Sequence, residues 1–459
     1  MRSHLPGLAC ALIACVWAAT TLAQPPGGGG VGNQNPNVGG ITIDAEGLVR
    51  PGFLADQSSR LDRKRRQALA EKQLPAEANV FSACRKVSLP ELERFVAAKL
   101  ERGEPLADEV LCLAGLQRIE YLFVDPDRQD LVIAGPAEGF ARDEGGRPRG
   151  VSTGRPTLLL DDLLVALRFV PQASEVGCSI DPQPANLAAL QQFVARHSTP
   201  ATPQVIEARY RKMAEILGRH DVRVDGVPAD SHFGRTLVEA DYRMKLISLG
   251  LEQPLKGLRS HLSMVAAGSN SIQRWWFVPY YEGLYRSEDG LAYELVGQRA
   301  QLLSQDEVAN ASGDRFAAAV TQLSTQAFAR QFTEKFAALA DESPVFAELQ
   351  NLIDWCVVAA LIEREQLAVK VGWKRELFLD AARLPYQSGP APRQTPAVFN
   401  TRRASAGMVV GLLSGGVTIV PRKLAQPAAF QTDVARRLVG VRNEELSAPR
   451  SKTHPWWWD

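Results

Sequence analysis

The chain is expected to be an α+β protein: mixed sheets built from hairpins with covering helices, arranged as two lobes plus a helical segment. Three observations predict this. Apolar runs of strand length are joined by polar turn-forming connections, as in "RIEYLFVDPDRQDLVIAGP". Between such runs lie stretches with helix-start and helix-stop residues, as in "SLPELERFVAAKLERG", where Ser88 caps, Pro90 enters the first turn, Glu91 follows three residues after the cap and Gly103 stops the helix. A helix, strand and helix order then occurs on both sides of the proline-containing "STPATPQ" stretch, which marks a boundary between lobes.

The elements follow in order. "MRSHLPGLACALIACVWAATTLAQ" has an arginine, a short apolar run and small residues ending at Ala23, the pattern of a signal peptide over residues 1–23. Lipidation at Cys15, in "LIAC", is the rival to cleavage after Ala23. Residues 24–40, rich in Gly, Pro and Asn, have almost nothing to bury and form a flexible leader. The first α+β domain spans 41–198. "ITIDAEGLVR" alternates as an edge strand, "RLDRKRRQALAEKQL" favours a basic helix, and Tyr121 to Val124 and Leu131 to Ala134 are apolar on both strand faces, so both faces should be covered. "LLLDDLLVALRFV" reads as a helix and "EVGCSI" as a strand. The second domain spans 204–375, with "DVRVDGV" as a strand and "RWWFVPYYEGLYRSEDGLAYELVGQRAQLL" as a hairpin turning at Ser287 to Gly290. It ends in two long helices, about 314–339 and 344–371. Residues 376–459 are irregular, with a third hairpin around Ser414 to Gly416 and a Trp-rich tail.

Composition excludes some function classes. With 52 basic against 51 acidic residues, no whole-chain field draws the protein to nucleic acid. No later run reaches the ~18 uninterrupted apolar residues of a spanning helix, so the mature chain is expected to lack a transmembrane segment. Cys84, Cys112, Cys178 and Cys356 follow the signal. In an oxidising compartment they permit two disulfides in any of three connectivities, while apolar neighbourhoods such as "DWCVVAAL" leave buried free thiols open. No CxxC, HxH or HExxH occurs, so no metal or cofactor is called for, and the His220 to His232 acid and histidine cluster is read as turns and caps.

"VEADYRMKLISLGLE" packs Glu239, Asp241, Arg243 and Lys245 into seven positions of an otherwise apolar run. At ~100° per residue, Phe233, Leu237, Ala240, Met244, Ile247 and Leu251 share one side of a helix, and Val238, Tyr242 and Leu249 the other, so the helix is expected to be sandwiched. Its charges lie between these sectors as structural ion pairs: Arg235, Glu239 and Arg243 at successive turns, and Asp241 with Lys245. "GVSTG", with Ser152, matches the nucleophile-elbow spacing but lacks the strand leading in; a turn is expected, with its amides and Arg155 able to meet an anion. Trp275, Trp276, Tyr280 and Tyr281 are a possible aromatic binding face, with alternation sending half to each side.

Taken in order, "LAGLQRIEYLFVDPDRQDLVIAGPAEGF", "STGRPTLLLDDLLVALR", "CSIDP", "LVEADYRMKLISLGLE" and the "RWWF" to "LAYELVGQ" segment resemble an uncharacterised domain-of-unknown-function family of large secreted bacterial proteins, over about residues 40 to 425. The resemblance implies export and carries no reaction, cofactor or catalytic residue. The expected function is an exported, periplasmic or extracellular, non-catalytic binding or envelope-structural module, with a protein or polysaccharide partner reached through aromatic surfaces. The alternative is an exported hydrolase with a dispersed site near the junction of the two domains, using His232, Asp230, Glu239 or Arg243.

Overall fold

The computed structural model describes residues 40–52, 60–199, 201–265, 272–310, 312–398, 400–404, 407–410, 413–447 and 457–459. The expected signal peptide, residues 1–23, and all but Gly40 of the expected leader lie outside them. Strands are β1 Ile41–Ile43, β2 Val49–Pro51, β3 Ser82–Ser88, β4 Tyr121–Asp125, β5 Asp130–Ala137, β6 Phe140–Arg142, β7 Pro148–Gly150, β8 Val176–Pro182, β9 Arg219–Asp225, β10 Ile272–Tyr280, β11 Gly283–Arg286, β12 Ala292–Val296, β13 Arg299–Ala309, β14 Arg315–Ala317, β15 Gln394–Pro396, β16 Thr401–Ala404, β17 Gly407–Val410, β18 Leu413–Ile419 and β19 Gln431–Thr432. The helices used below are α1 Arg60–Gln73, α2 Leu89–Glu101, α3 Asp108–Leu111, α4 Leu160–Phe169, α5 Pro184–Arg196, α6 Pro203–Leu217, α7 His232–Ser248, α8 Leu323–Glu334, α9 Phe336–Glu342 and α10 Pro344–Arg364.

The protein is α+β, with two large mixed sheets. One runs β19-β11-β12-β4-β5-β3, the other β14-β13-β10-β18-β8-β9-β15. Only β11–β19 and β10–β18 pair in parallel; every other neighbour is antiparallel. Each sheet draws strands from both sides of residues 198–204, so that stretch divides the sequence without dividing the sheets. The β4–β5 hairpin closes between Asp125 and Asp130, and its faces are covered on both sides as the apolar runs require. Leu122, Val124, Leu131 and Ile133 enter the main core, while Phe123, Val132 and Ala134 pack beneath Leu438.

Three expectations are corrected. The turn at Ser287 to Gly290 is present, with Gly290 at φ +65°, but it joins β11 to β12. β10 instead pairs with β13 in the other sheet, because the chain leaves one sheet after Tyr280 and returns to it through Gly297 and Arg299, both at positive φ. The Ser414 to Gly416 stretch is no turn: it lies in the middle of β18, between β10 and β8. Its glycines serve close approach, since a Cβ at Gly415 would lie 1.8 Å from the Trp275 carbonyl oxygen and one at Gly416 1.8 Å from that of Cys178. Finally, residues 315–317 add to the sheet as β14, so helix begins only at Leu323, and it changes direction at Lys335 between α8 and α9.

α10 is long and apolar enough to cross a membrane, yet it is buried inside the fold as a core helix. α7 is sandwiched as its two apolar sectors require: every residue except His232 and Arg235 is buried, with β8 and β18 on one side and α10 and α4 on another. All four cysteines from Cys84 onward are free, three of them buried. Burial pushes the Cys84 and Cys112 thiols up to about 12. The tail tucks onto its own sheet: Trp458 bridges Val87 of the edge strand β3, the Ser88 amide donates to the Trp457 carbonyl at 2.8 Å, and Trp457 and Trp458 are buried.

Candidate functional site

α7 starts at Ser231, whose hydroxyl caps it by accepting from the Gly234 amide at 3.0 Å. Its charged residues meet partners from distant segments. Glu239 receives Arg147 at 3.0 Å, Arg243 at 3.7 Å and the Gly40 amide at 2.8 Å. Arg147 reaches Glu348 of α10 at 2.7 Å, and Arg243 reaches Glu252 at 2.6 Å. His232 places Nδ1 3.0 Å from Asp162 of α4 and Nε2 3.8 Å from Glu348. Asp241 pairs with Lys245 in the core. The ladder forms at Glu239–Arg243 and Asp241–Lys245; Arg235 donates its Nε to the Ser231 carbonyl at 3.3 Å, and Asp162 and Asp230 are the carboxylates that act on it most strongly.

The electrostatics follow from enclosure. Burial alone would lower the His232 imidazole, but the Asp162 carboxylate and Glu348 hold it up at about 10. Burial alone would raise Glu348, and the Arg147 guanidinium with His232 keeps it below the usual carboxylate range. Burial raises Asp241 to about 6 against the pull of Lys245. His232 is thus a cation engaged with two carboxylates, and neither it nor Glu239, Asp241 or Arg243 lines any of the three described clefts. Asp230 accepts from the Tyr386 hydroxyl at 2.9 Å.

The "GVSTG" segment is a turn wrapped around an internal anion. The buried Glu138 carboxylate accepts from the Ser152 amide at 3.0 Å, the Thr153 amide at 2.9 Å, the Thr153 hydroxyl at 2.5 Å and Gln117 Nε2 at 2.8 Å. A Cβ at Gly150 would lie 1.9 Å from Glu138 Oε1, and Gly154 takes φ +72°, so both glycines of the motif serve this turn. The anion that the amides meet is the protein's own. Beside the turn lies a cleft of about 680 Å³, lined among others by Arg118, Glu120, Arg155, Glu282 and Asp341. Arg155 pairs there with Asp341 and donates to Gln350 at 2.5 Å, and Arg118 pairs with Glu120.

The expected aromatic face divides by strand parity. Trp275 belongs to the core, with Nε1 donating to the Thr325 carbonyl at 3.2 Å and its ring 5.0 Å from that of Phe328. Tyr281 is also removed from the face: it donates to the buried Asp354 at 2.8 Å, beneath the Arg299 guanidinium. Trp276 points the other way, half-buried, with the Arg274 guanidinium 5.1 Å over its ring, and Tyr280 is exposed at the strand end. Trp276 lines a groove of about 480 Å³ together with Gln301, Ser304, Gln326, Arg330 and Thr333. Sequence reasoning missed Arg147, Asp162, Glu348 and Glu138, because partners separated by tens of residues leave no local spacing to read. α8's share of the groove was legible only as the exposed i, i+4, i+8 row Gln326, Arg330, Glu334.

Residues 178–261, which take in most of β8 and all of β9 and α7, match the family model described as "Protein of unknown function (DUF1598)". No curated protein and no solved structure matches the chain.

Proposed function

We propose that the chain is an exported, non-catalytic binding module whose ligand face is the outer side of the seven-stranded sheet around Trp276. The observation that carries this reading is where the charge goes. The acids and bases of the α7 network are engaged with one another and stand away from the described clefts. General-base hydrolysis needs a group with a free lone pair within reach of substrate, and His232, protonated and held between two carboxylates, offers none. Trp276 instead presents a large aromatic surface beside a groove, the combination that binding surfaces use. Export rests on the N-terminal arginine, apolar run and small residues ending at Ala23.

The test is turnover against the alternative. The chain lacking residues 1–23 is incubated with chromogenic ester, peptide, glycoside and phosphate substrates from acid to mildly alkaline pH. Rates at the buffer blank support the binding reading. Turnover that His232→Gln or Glu239→Gln abolishes, with the fold intact by circular dichroism, would replace it with the hydrolase. Residues 1–23 fused to a reporter should direct it out of the cytoplasm of a bacterial host, and a reporter retained inside would remove the export part.

A further inference from the structure

The strand registers locate Trp276 on its face. It stands opposite Leu303 of β13 on one side and Gly416 of β18 on the other, and Gly416 stands opposite Ser179 of β8. Ile272, four residues back on the same face of β10, is covered by a cluster with Leu187 and Leu190 of α5 and Leu217 of α6. Trp276 lies outside that cluster and opens on the groove between β13 and α8.

The groove wall along β13 is mostly closed to strand pairing. The Leu302 amide donates to the Thr333 hydroxyl at 2.9 Å. The Asp306 amide donates to Thr321 at 3.3 Å, and the Asp306 carbonyl accepts from the Ala318 amide at 2.8 Å. Alternation along the ladder turns the amide and carbonyl of Ser304 to this same edge, between those two plugs. One residue of open main chain cannot support addition of a peptide strand, which draws its affinity from a run of such bonds.

The side chains fit another ligand. Gln301, Ser304 and Gln326 are neutral and both donate and accept hydrogen bonds, while the Thr333 hydroxyl is taken up by the Leu302 main chain. Arg330 and Glu334 line the groove one turn apart on α8 and cancel in charge, while Trp276, Leu303 and Ala329 supply apolar surface. The Arg274 guanidinium, itself 3.4 Å from Glu307, lies 5.1 Å over one face of the Trp276 ring and favours its present orientation. The volume of about 480 Å³ falls within the roughly 300–1,000 Å³ of small-molecule sites. An aromatic platform ringed by neutral amides and hydroxyls, with no net charge, matches a ring that has apolar C–H faces and a hydroxyl rim.

We infer that this groove binds a neutral oligosaccharide, with one pyranose ring on Trp276 and its hydroxyls bonded to Gln301, Gln326 and the Ser304 main chain. This rests on the binding-module reading and narrows it. The chain lacking residues 1–23 is titrated calorimetrically with maltohexaose, cellohexaose, mannohexaose and chitohexaose, and in parallel with anionic polygalacturonate and a pool of labelled nonapeptides. At least one neutral hexasaccharide should bind. Trp276→Ala should weaken it by about tenfold or more, and Gln326→Ala by about threefold, with circular dichroism showing the fold retained because that side chain also donates to the Thr321 carbonyl at 2.9 Å. Polygalacturonate or peptides binding through Trp276 while the neutral sugars fail would overturn the oligosaccharide and leave the binding module standing. No binding by any probe would remove the oligosaccharide and the Trp276 face together. Neutral sugar bound equally well by both variants would overturn the groove.

Discussion

Asp241 and Lys245, one turn apart on α7, form an ion pair inside the core, with their side chains 0% and 3% exposed. The pair faces β18, where Gly415 makes room: a Cβ there would stand 3.4 Å from Asp241 Oδ1. Enclosure makes each charge depend on the other, because neither reaches water.

Removing one member should therefore cost more than removing both. Lys245→Met leaves a buried carboxylate without its cation and should destabilise the fold by about 3–5 kcal/mol, whereas Lys245→Met with Asp241→Leu should recover a large part of that loss. Urea unfolding of the two variants and the parent measures both. A double variant destabilised as much as Lys245→Met, or more, would contradict the mutual dependence of the two charges.

His232 gives a pH signature. Its folded value of about 10 lies above the ordinary 6.5, so its contribution is complete below about pH 6.5 and is lost as pH rises through about 10. Stability should fall over that window, and His232→Gln should flatten that part of the profile while lowering stability at neutral pH. Chemical denaturation at stepped pH reads the slope; parallel profiles for parent and variant would show that the histidine is not held as a cation.

The turn around Glu138 separates a nucleophile from a structural serine. Ser152 is exposed and contributes only its amide, so Ser152→Ala should change stability by less than about 0.5 kcal/mol. Glu138→Gln replaces an all-acceptor group with one that must turn a donor toward other donors, and should cost about 1–3 kcal/mol. Thermal unfolding of both variants distinguishes them. A severe loss in Ser152→Ala with a silent Glu138→Gln would contradict this account.

How much was legible depended on range. Caps, hairpin turns and the two apolar sectors of α7 are local patterns, and Ser88 and the Ser287 to Gly290 turn stand where their residue types place them. Strand partners are not local. The aromatic "RWWF" strand reads equally well as the arm of a hairpin or as a central strand, and only Leu303 opposite Trp276 decides it. "SGG" reads as a turn until neighbouring carbonyl oxygens, 1.8 Å from where a Cβ would stand, show that only glycines admit them. Along α7, pairing at i, i+4 was visible, but Arg147 comes from 92 residues away and Asp162 from 70, so the partners that immobilise Glu239 and His232 carried no sequence signal.

The tail offers the last test. Trp457 stacks near Phe95, at 5.9 Å between rings, and Trp458 lies under the Arg85 guanidinium at 5.1 Å. Asp459 closes the contact through Lys86, with Nζ at 2.8 Å from its carboxylate. β3 is the last strand of its sheet, and the tail covers the main chain that would otherwise be an open edge. Deleting residues 457–459 should lower the melting temperature and produce concentration-dependent light scattering, since two buried indoles are lost and an edge is uncovered. Trp458→Ala alone should cost up to about 3–5 kcal/mol with less scattering, because the Ser88 amide keeps the Trp457 carbonyl as its partner. A deletion that melts like the parent and stays monodisperse would show that the sheet edge does not need its cover.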